Sequence, residues 1–233
     1  MLNIGDSGAT RTRIKFCGMT RPGDVRLAGE LGVDAIGLVF AARSPRRIDL
    51  DHALALRDAV ASMCSIVALV MDNPAPEIEA IVHHLRPHLL QFHGNEEDAF
   101  CARFGVPFLK ALPMRDVAAS DVPALLAGYP SAAGFVFDGH APGEMGGSGE
   151  RFDWTRLAQH QMARPWLLAG GLDASNVGAA VRAVRPWGVD VSSGIEAGGI
   201  ESAPGIKDGA KMHAFVDAVR NAEHDVSNGH EKK

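Results

Sequence analysis

The strand-like segment RIKFC, residues 13–17, carries a lysine and a cysteine in an otherwise apolar run. Neighbouring side chains of a β-strand point to opposite faces, so Ile14 and Phe16 share one face while Lys15 and Cys17 share the other. A thiolate can act as a base or a nucleophile, but a free thiol has a pKa of about 8.5. Lys15 is therefore a candidate for favouring the thiolate form of Cys17.

Three later segments also place a polar residue at or near the end of one strand face. LLQFH ends on His93, FVFD ends on Asp138, and VDVSSG carries Ser192. Fully buried parallel strands usually read as continuous apolar runs, so these polar positions need a reason. If the large apolar residues pack under helices, Cys17, His93, Asp138 and Ser192 meet at the carboxyl end of one sheet. The carboxyl ends of the strands are where the active sites of α/β-barrel enzymes lie.

Each of these residues taken singly has a plainer interpretation. A lone strand cysteine is more often a small buried hydrophobe than a catalyst, and we assign that role to Cys64 and Cys101. His93 alone would be a core or surface histidine, and Asp138 alone could cap the following loop. The position that the four residues share carries the prediction.

Two segments are typical of anion-binding turns. LLAGGLDASN, residues 167–176, and DVSSGIE, residues 190–196, each run from a strand through glycine toward a helix start. Glycine lets backbone N–H groups approach a phosphate, and a helix N-terminus favours negative charge. Two ordinary tight turns are the alternative. A third segment, RSPRRI, offers Arg46 and Arg47 either as a solvated turn or as a fork for a carboxylate.

These residues are positioned by a chain in which eight short β-branched or aromatic runs alternate with amphipathic segments. The predicted strands are Ile14–Cys17, Ala35–Phe40, Ser65–Val70, Leu89–His93, Phe108–Ala111, Gly134–Asp138, Trp166–Ala169 and Val189–Val191. Eight such units in 233 residues predict a single-domain α/β protein, a (β/α)8 TIM barrel with a closed, parallel, eight-stranded sheet. A doubly wound open sheet is the alternative, but CGMTRPGD after the first strand lacks the dinucleotide-binding glycine pattern.

The sequence pattern predicts three parts: a flexible N-terminal extension over 1–12, the barrel over 13–222, and a disordered polar tail over 223–233. Loops after the seventh and eighth strands of such barrels habitually bind phosphate, which strengthens the anion-site prediction. The glycine-rich segment 139–150 is interpreted as a long loop within the sixth unit.

Composition excludes several other classes of function. The net charge is −5 and no dense Lys/Arg cluster is present, which argues against nucleic-acid binding. The most apolar run, SIVALVM, is far shorter than the ~18 residues that a membrane span requires. The N-terminal MLNIGDSGATRTR has no apolar signal core, which predicts a cytoplasmic location. Three cysteines without a CxxC pattern predict neither a disulfide framework nor a thiolate zinc site.

The motifs KFCGMT, DAIGLVF with SPRRI, QFHG, FVFD, GGSGERFDW, LAGGL, and DVSSGIE with PGIKD occur in one order along residues 13–222. This ordered set resembles the phosphoribosylanthranilate isomerases of tryptophan biosynthesis. The resemblance implies a (β/α)8 barrel that needs no cofactor or metal. It also implies an Amadori rearrangement of N-(5-phosphoribosyl)anthranilate to 1-(2-carboxyphenylamino)-1-deoxyribulose 5-phosphate.

By this resemblance, Asp138 is the general acid and Cys17 the general base. Arg46 is expected to hold the anthranilate carboxylate, with some ambiguity between Arg46 and Arg47. Gln91 and His93 are expected to line the substrate pocket. The backbone candidates for holding the phosphate are Gly170, Gly171, Ser193 and Gly194.

Other functions remain open from the residues alone. One is a different phosphosugar isomerase or epimerase on the same barrel, including metal-dependent forms. Another is a phosphate-sugar binding protein without catalysis, which would have no use for a thiol and a carboxyl group as a pair. Monomer and homodimer are both compatible with the sequence.

Overall fold

The computed structural model describes residues 11–139, 153–158, 160, 162–198 and 203–228. Eight parallel strands close into one barrel in chain order, with the first strand pairing with the eighth. This confirms the predicted (β/α)8 barrel. The strands β1–β8 are Arg13–Cys17, Ala35–Val39, Ser65–Val70, Leu89–Phe92, Phe108–Pro113, Gly134–Asp138, Trp166–Leu168 and Gly188–Val191.

Every predicted strand is present, and its ends lie within two residues of the predicted ones. The helices differ more. The amphipathic segment LDHALALRDAVA predicts a second helix over 50–61. In the structure this helix ends at Arg57, and the N–H of Val60 then bonds to the Arg57 carbonyl in a tight turn. The helices α1–α8 are Pro22–Glu30, Leu50–Arg57, Ala75–Leu85, Asp98–Ala102, Val122–Ala127, Thr155–Ala158, Val177–Val184 and Gly209–Asn228.

Helix α8 runs past the predicted boundary at residue 222, so the chain is helical as far as Asn228. The first part of the segment for which we predicted a disordered tail is therefore helix. The apolar pattern of this helix includes Met212, Phe215, Val219 and Ala222, which are all buried. Most of the predicted N-terminal extension and the end of the tail lie outside the described residues.

The large aromatic side chains of the strands point outward to the helices, and smaller and polar ones point into the barrel, as the alternation predicts. Phe16 of β1 points outward and meets Phe215 of α8, with ring centroids 6.1 Å apart. Phe92 of β4 points outward against Phe104, at 6.0 Å. The inward positions hold smaller apolar side chains and the polar ones, so the barrel interior becomes polar toward the carboxyl ends of the strands. No described helix is both long and apolar enough to cross a membrane.

Candidate active site

A cavity opens at the carboxyl ends of the strands and encloses about 590 Å³, including its mouth. The four residues that the alternation predicted to converge all line it. The lining residues are Cys17, Val39, Ser44, Arg46, Leu69, Gln91, His93, Asp138, Ala169, Gly170, Gly171, Leu172, Asp190, Val191, Ser192 and Ser193.

Cys17 stands beside a buried ion pair inside the barrel. Lys15 Nζ lies 2.9 Å from Oδ1 and 3.0 Å from Oδ2 of Asp190, and both side chains are buried. Burial alone would lower the pKa of the Lys15 ammonium, but Asp190 and Cys17 outweigh burial and raise it. Lys15 is thus held as a cation, and Asp190 fixes its position next to the thiol.

The pKa of Cys17 is the outcome of opposed influences. Burial is the largest and raises it, Lys15 and Lys207 lower it, and Asp190 raises it again, so that the net pKa is raised. The prediction that Lys15 favours the thiolate is confirmed, because Lys15 lowers the pKa of Cys17. The net pKa is nevertheless raised, because desolvation of the buried thiol exceeds the attraction of the neighbouring ammonium groups.

Gln91, His93 and Asp138 form a row of polar side chains on the opposite wall. His93 Nε2 lies 3.6 Å from Asp138 Oδ2, and His93 Nδ1 lies 3.5 Å from Gln91 Nε2. Gln91 is 1% exposed, and its Oε1 has no hydrogen-bond partner among the described residues. A buried amide oxygen without a partner is costly, so this atom is suited to accept a hydrogen bond from a ligand hydroxyl or amine.

The two candidate arginines lie in different places. Arg46 is buried, lines the cavity, and pairs with Glu196 through Nε at 2.6 Å and Nη2 at 2.8 Å. Arg47 points outward, where its Nη2 lies 4.0 Å from Glu77 of α3. Of the two arginines, only Arg46 lines the cavity, so Arg46 stays the candidate for binding a ligand carboxylate there.

The segments after β7 and β8 meet at the rim. Gly170 and Gly171 have φ of +86° and +62°, which favours glycine, and they line the cavity with Ser193. The Asn176 side chain holds the first turn by donating to the Gly171 carbonyl at 2.9 Å and accepting from Asp173 N–H at 3.1 Å. Gly170, Gly171 and Ser193 therefore lie together at the rim of the cavity, as predicted for the two turns.

Gly194, also predicted to hold phosphate, does not line the cavity. A Cβ at this residue would lie 1.9 Å from the carbonyl oxygen of Leu172. Glycine is therefore needed at this position because the two turns pack directly against each other. Gly194 thus maintains the fit between the turns that carry Gly171 and Ser193.

Gly194→Ala should destabilise the protein by about 3 kcal/mol, the upper end of overpacking costs, because a backbone carbonyl cannot move aside as a side chain can. Urea unfolding measures the loss. The matched control is Gly198→Ala in the same segment, where the nearest atom to a new Cβ is 3.9 Å away. Equal unfolding midpoints for the two variants would contradict the close packing of the turns.

A second buried ion pair lies outside the cavity and was not found from the sequence. Lys110 of β5 points outward, where its Nζ lies 3.0 Å from Glu96 Oε2 and 2.5 Å from the carbonyl oxygen of Gly94. Glu96 also accepts from the N–H groups of Asp72 and Gly94. This pair fixes the segment that follows His93. The sequence feature that could have indicated this ion pair is a lysine inside the apolar run FLKALP.

The other two cysteines have the buried, unreactive character that was predicted for them. Burial is the main cause that raises the pKa of Cys64 to about 11 and that of Cys101 to about 12. Neither lines the cavity. Within the described ranges, no three His, Cys, Asp or Glu side chains are grouped as a metal site would require. Residues 140–152, most of the long loop predicted after Asp138, lie outside the described residues.

A closed (β/α)8 barrel whose polar cavity lies at the carboxyl ends of the strands defines the chain as a barrel enzyme. Comparison with known proteins gives the family. The family model described as N-(5'phosphoribosyl)anthranilate (PRA) isomerase matches residues 14–218, so the chain belongs to this family. The predicted resemblance is thereby confirmed.

Individual relatives agree with the family match. The N-(5'-phosphoribosyl)anthranilate isomerase of Xanthomonas euvesicatoria pv. vesicatoria (strain 85-10) is 56% identical over 222 residues, covering 93% of this chain and 97% of the relative. A solved phosphoribosyl anthranilate isomerase in complex with reduced 1-(o-carboxyphenylamino)-1-deoxyribulose 5-phosphate has a TM-score of 0.77 at 27% identity, covering 90% of this chain and 99% of that one. A structure of monomers generated from the dimeric Thermotoga maritima enzyme has a TM-score of 0.75 at 27% identity, with the same coverage.

Proposed function

We propose that the protein catalyses the Amadori rearrangement of N-(5-phosphoribosyl)anthranilate in tryptophan biosynthesis. The observation that carries this proposal is that Cys17 of β1 and Asp138 of β6 open into the same cavity. A sugar in that cavity has a thiol and a carboxyl group available for the two proton transfers that the reaction needs. The names of the relatives supply the substrate, and the family match supplies the link to this chain.

The first step opens the ribose ring. The protonated Asp138 carboxyl donates its proton to the ring oxygen as the bond from this oxygen to C1 breaks. The lone pair of the anthranilate nitrogen forms the C1–N double bond and leaves a cationic Schiff base. General acid catalysis of this kind contributes about 10²–10⁴ in rate. His93, 3.6 Å from the Asp138 carboxyl, is placed to orient it.

The second step moves a proton from carbon to sulfur. The Cys17 thiolate removes the proton from C2, and the bonding electrons form a C1–C2 double bond as they neutralise the Schiff base. The resulting enolamine then tautomerises to the aminoketose: C1 gains a proton, and the C2 hydroxyl loses its proton as it becomes the C2 carbonyl. Lys15, fixed by Asp190, offsets part of the cost of holding the thiolate in a buried site.

Two anchors hold the substrate across these groups. Arg46 receives the anthranilate carboxylate, since a guanidinium binds carboxylates through paired hydrogen bonds. The backbone of Gly170, Gly171 and Ser193 receives the phosphate at the turns after β7 and β8, the habitual phosphate site of this architecture. We further propose that the protein acts in the cytoplasm as a monomer or a homodimer, and sedimentation velocity distinguishes these two states.

Arg46→Ala should raise KM about 10- to 100-fold, because it removes a charge-assisted bond to the substrate carboxylate. Steady-state kinetics measures this. The matched control is Arg47→Ala, which removes the exposed neighbour that pairs with Glu77. An unchanged KM in the Arg46 variant, or an equal rise in both variants, would dismiss Arg46 as the carboxylate anchor.

A direct assay tests the reaction itself. Purified protein is mixed with freshly generated N-(5-phosphoribosyl)anthranilate in EDTA, and the loss of substrate fluorescence is followed. We expect rapid turnover that the chelator does not affect. Activity abolished by EDTA would favour a metal-dependent phosphosugar epimerase. Tight binding of the substrate without turnover would favour a phosphate-sugar binding protein.

A further inference from the structure

The guanidinium of Arg46 forms an ion pair with a carboxylate of the protein. Its Nε and Nη2 both bond to Glu196, at 2.6 and 2.8 Å, in a bidentate pair that is largely buried. Neither bond uses Nη1, which is left for a ligand. The aliphatic stem packs against Gly18, where an added Cβ would lie 2.5 Å from Arg46 Cδ. Both the stem and the guanidinium of Arg46 are therefore fixed before any ligand arrives.

Glu196 is itself fixed by two further donors. Lys207 Nζ lies 3.0 Å from its Oε1, and the N–H of Gly205 lies 2.9 Å from the same oxygen. The Lys207 side chain is 0% exposed and also donates to the Ser192 carbonyl at 3.0 Å. Although burial opposes ionisation, Arg46 and Lys207 lower the pKa of Glu196 to about 2. Glu196 is thus an anion at all pH values at which the protein works.

Lys207 is anchored through its backbone to the start of helix α1. Its N–H donates to Asp24 Oδ2 at 3.1 Å, and its carbonyl accepts from Arg21 Nη2 at 2.7 Å. Arg21 and Asp24 are in turn joined by two bonds of 2.9 and 2.8 Å. We call the side chains of Arg46, Glu196 and Lys207 the carboxylate network. Through Lys207, this network is attached to a rigid part of the barrel.

The charges of this network balance only when a second anion is present. Arg46 and Lys207 contribute two positive charges, whereas Glu196 contributes one negative charge. An Arg46–Glu196 pair without Lys207 would be neutral overall, and Glu196 would offset part of the attraction between Arg46 and an incoming carboxylate. With Lys207 in place, one positive charge remains to be neutralised, and Arg46 is the member that lines the cavity.

We propose that Glu196 and Lys207 are positioning residues that orient Arg46 and keep its surplus charge for the carboxylate of the substrate. They thereby determine the preference for N-aryl ribosylamine phosphates that carry an ortho carboxylate over those that lack it. This inference rests on the proposed function, in which Arg46 anchors the anthranilate group. Neither residue touches the reacting atoms.

The test compares two ligands by isothermal titration calorimetry. One is reduced 1-(o-carboxyphenylamino)-1-deoxyribulose 5-phosphate, and the other is its counterpart without the carboxyl group. In Glu196→Gln and in Lys207→Met, Kd for the first ligand should rise about 10- to 100-fold, as misplacement of an anchoring group typically causes. Kd for the second should change by less than about threefold, since it makes no bond that depends on Arg46.

Glu77→Gln is the matched control, because it removes the partner of the neighbouring Arg47 on the surface. It should leave both dissociation constants unchanged. A parallel rise for both ligands in the Glu196 and Lys207 variants would show a merely structural role and overturn the proposal. So would unchanged or tighter binding of the carboxylated ligand, or wild-type protein that does not prefer this ligand.

Glu196→Gln and Lys207→Met change different members of the carboxylate network. Either variant that folds is therefore sufficient to test the positioning role. Turnover of N-(5-phosphoribosyl)anthranilate by the wild type is measured separately. Ligand preference that depends on Glu196 without turnover would keep this inference and remove the proposed reaction. If the protein turns over N-(5-phosphoribosyl)anthranilate but its ligand preference does not depend on Glu196, the proposed reaction stands and this inference is removed.

Discussion

Cys17→Ser should lower kcat about 10²–10⁴-fold while changing KM little, because a serine hydroxyl does not ionise in the range in which a thiol does. The side chains are nearly the same size, so the barrel should fold normally. Stopped-flow or steady-state fluorescence measures the loss, and thermal unfolding checks the fold. The matched control is Cys64→Ser, a buried thiol outside the cavity, which should retain wild-type kcat.

The pH dependence of kcat/KM tests the same assignment. Burial raises the pKa of Cys17, so the reactive thiolate is the minor form at neutral pH. Below this pKa the thiolate fraction rises about tenfold for each pH unit, and kcat/KM of the wild type should rise with it. The profile should therefore climb from neutral toward alkaline pH, and the climb should be absent in Cys17→Ser. A serine variant with the same profile and near-normal kcat would remove Cys17 from the role of base.

Asp138→Asn is expected to have an effect of similar size. The amide keeps the shape of the carboxyl group but cannot give a proton to the ring oxygen, so kcat should fall about 10²–10⁴-fold. Binding should persist, because the phosphate and carboxylate anchors are untouched, and KM should stay within a few-fold of the wild-type value. Steady-state kinetics with an independent ligand titration measures both quantities.

The control for this variant is Asp116→Asn, which changes an exposed carboxylate in the segment after β5 at the same end of the barrel. It should behave as wild type. A ring-opened substrate gives a second check, because it bypasses the step that needs the acid. If Asp138→Asn turns over the natural substrate at a near-normal rate, the general acid is another group.

The barrel could be predicted because strand signals in this chain are local. The runs Ser65–Val70 and Gly134–Asp138 have the same ends in the sequence prediction and in the structure, since β-branched and aromatic residues are bounded there by turn residues. The polar residue at the end of each inner face could also be predicted, because the side-chain period of a strand is two. Together with the barrel and the packing of large apolar residues under the helices, this period predicted that His93 and Asp138 lie in one cavity.

What could not be predicted depends on contacts between residues far apart in the chain. Arg46 and Glu196 are separated by 150 residues, and no local pattern says that one will bind the other. The helix lengths also depend on packing that periodicity does not contain, which is why α2 is shorter than predicted. Lys110 was missed because a lysine in an apolar strand has no local partner, and Glu96 lies in another unit.

The state of Cys17 shows the same limit in electrostatic terms. The alternation correctly placed Lys15 beside the thiol, and its ammonium lowers the pKa of Cys17 as expected. The net result depends on how deeply the barrel buries the sulfur and on the charge of Asp190, contributed by β8. Burial is a property of the whole fold, so the sign of the net effect required the structure.

In the proposed function, the short turn Ser193–Ile195 lies between the phosphate anchor and the partner of the carboxylate anchor. Its first residue stands at the rim with Gly170 and Gly171, and the residue after it, Glu196, grips Arg46. The turn is therefore a spacer of fixed length, and adding or deleting one residue would change the distance between its two ends. Under the proposed function, redesign of this barrel for longer or shorter substrates would have to begin at this spacer, because its length would set the distance between the two anchored anionic groups.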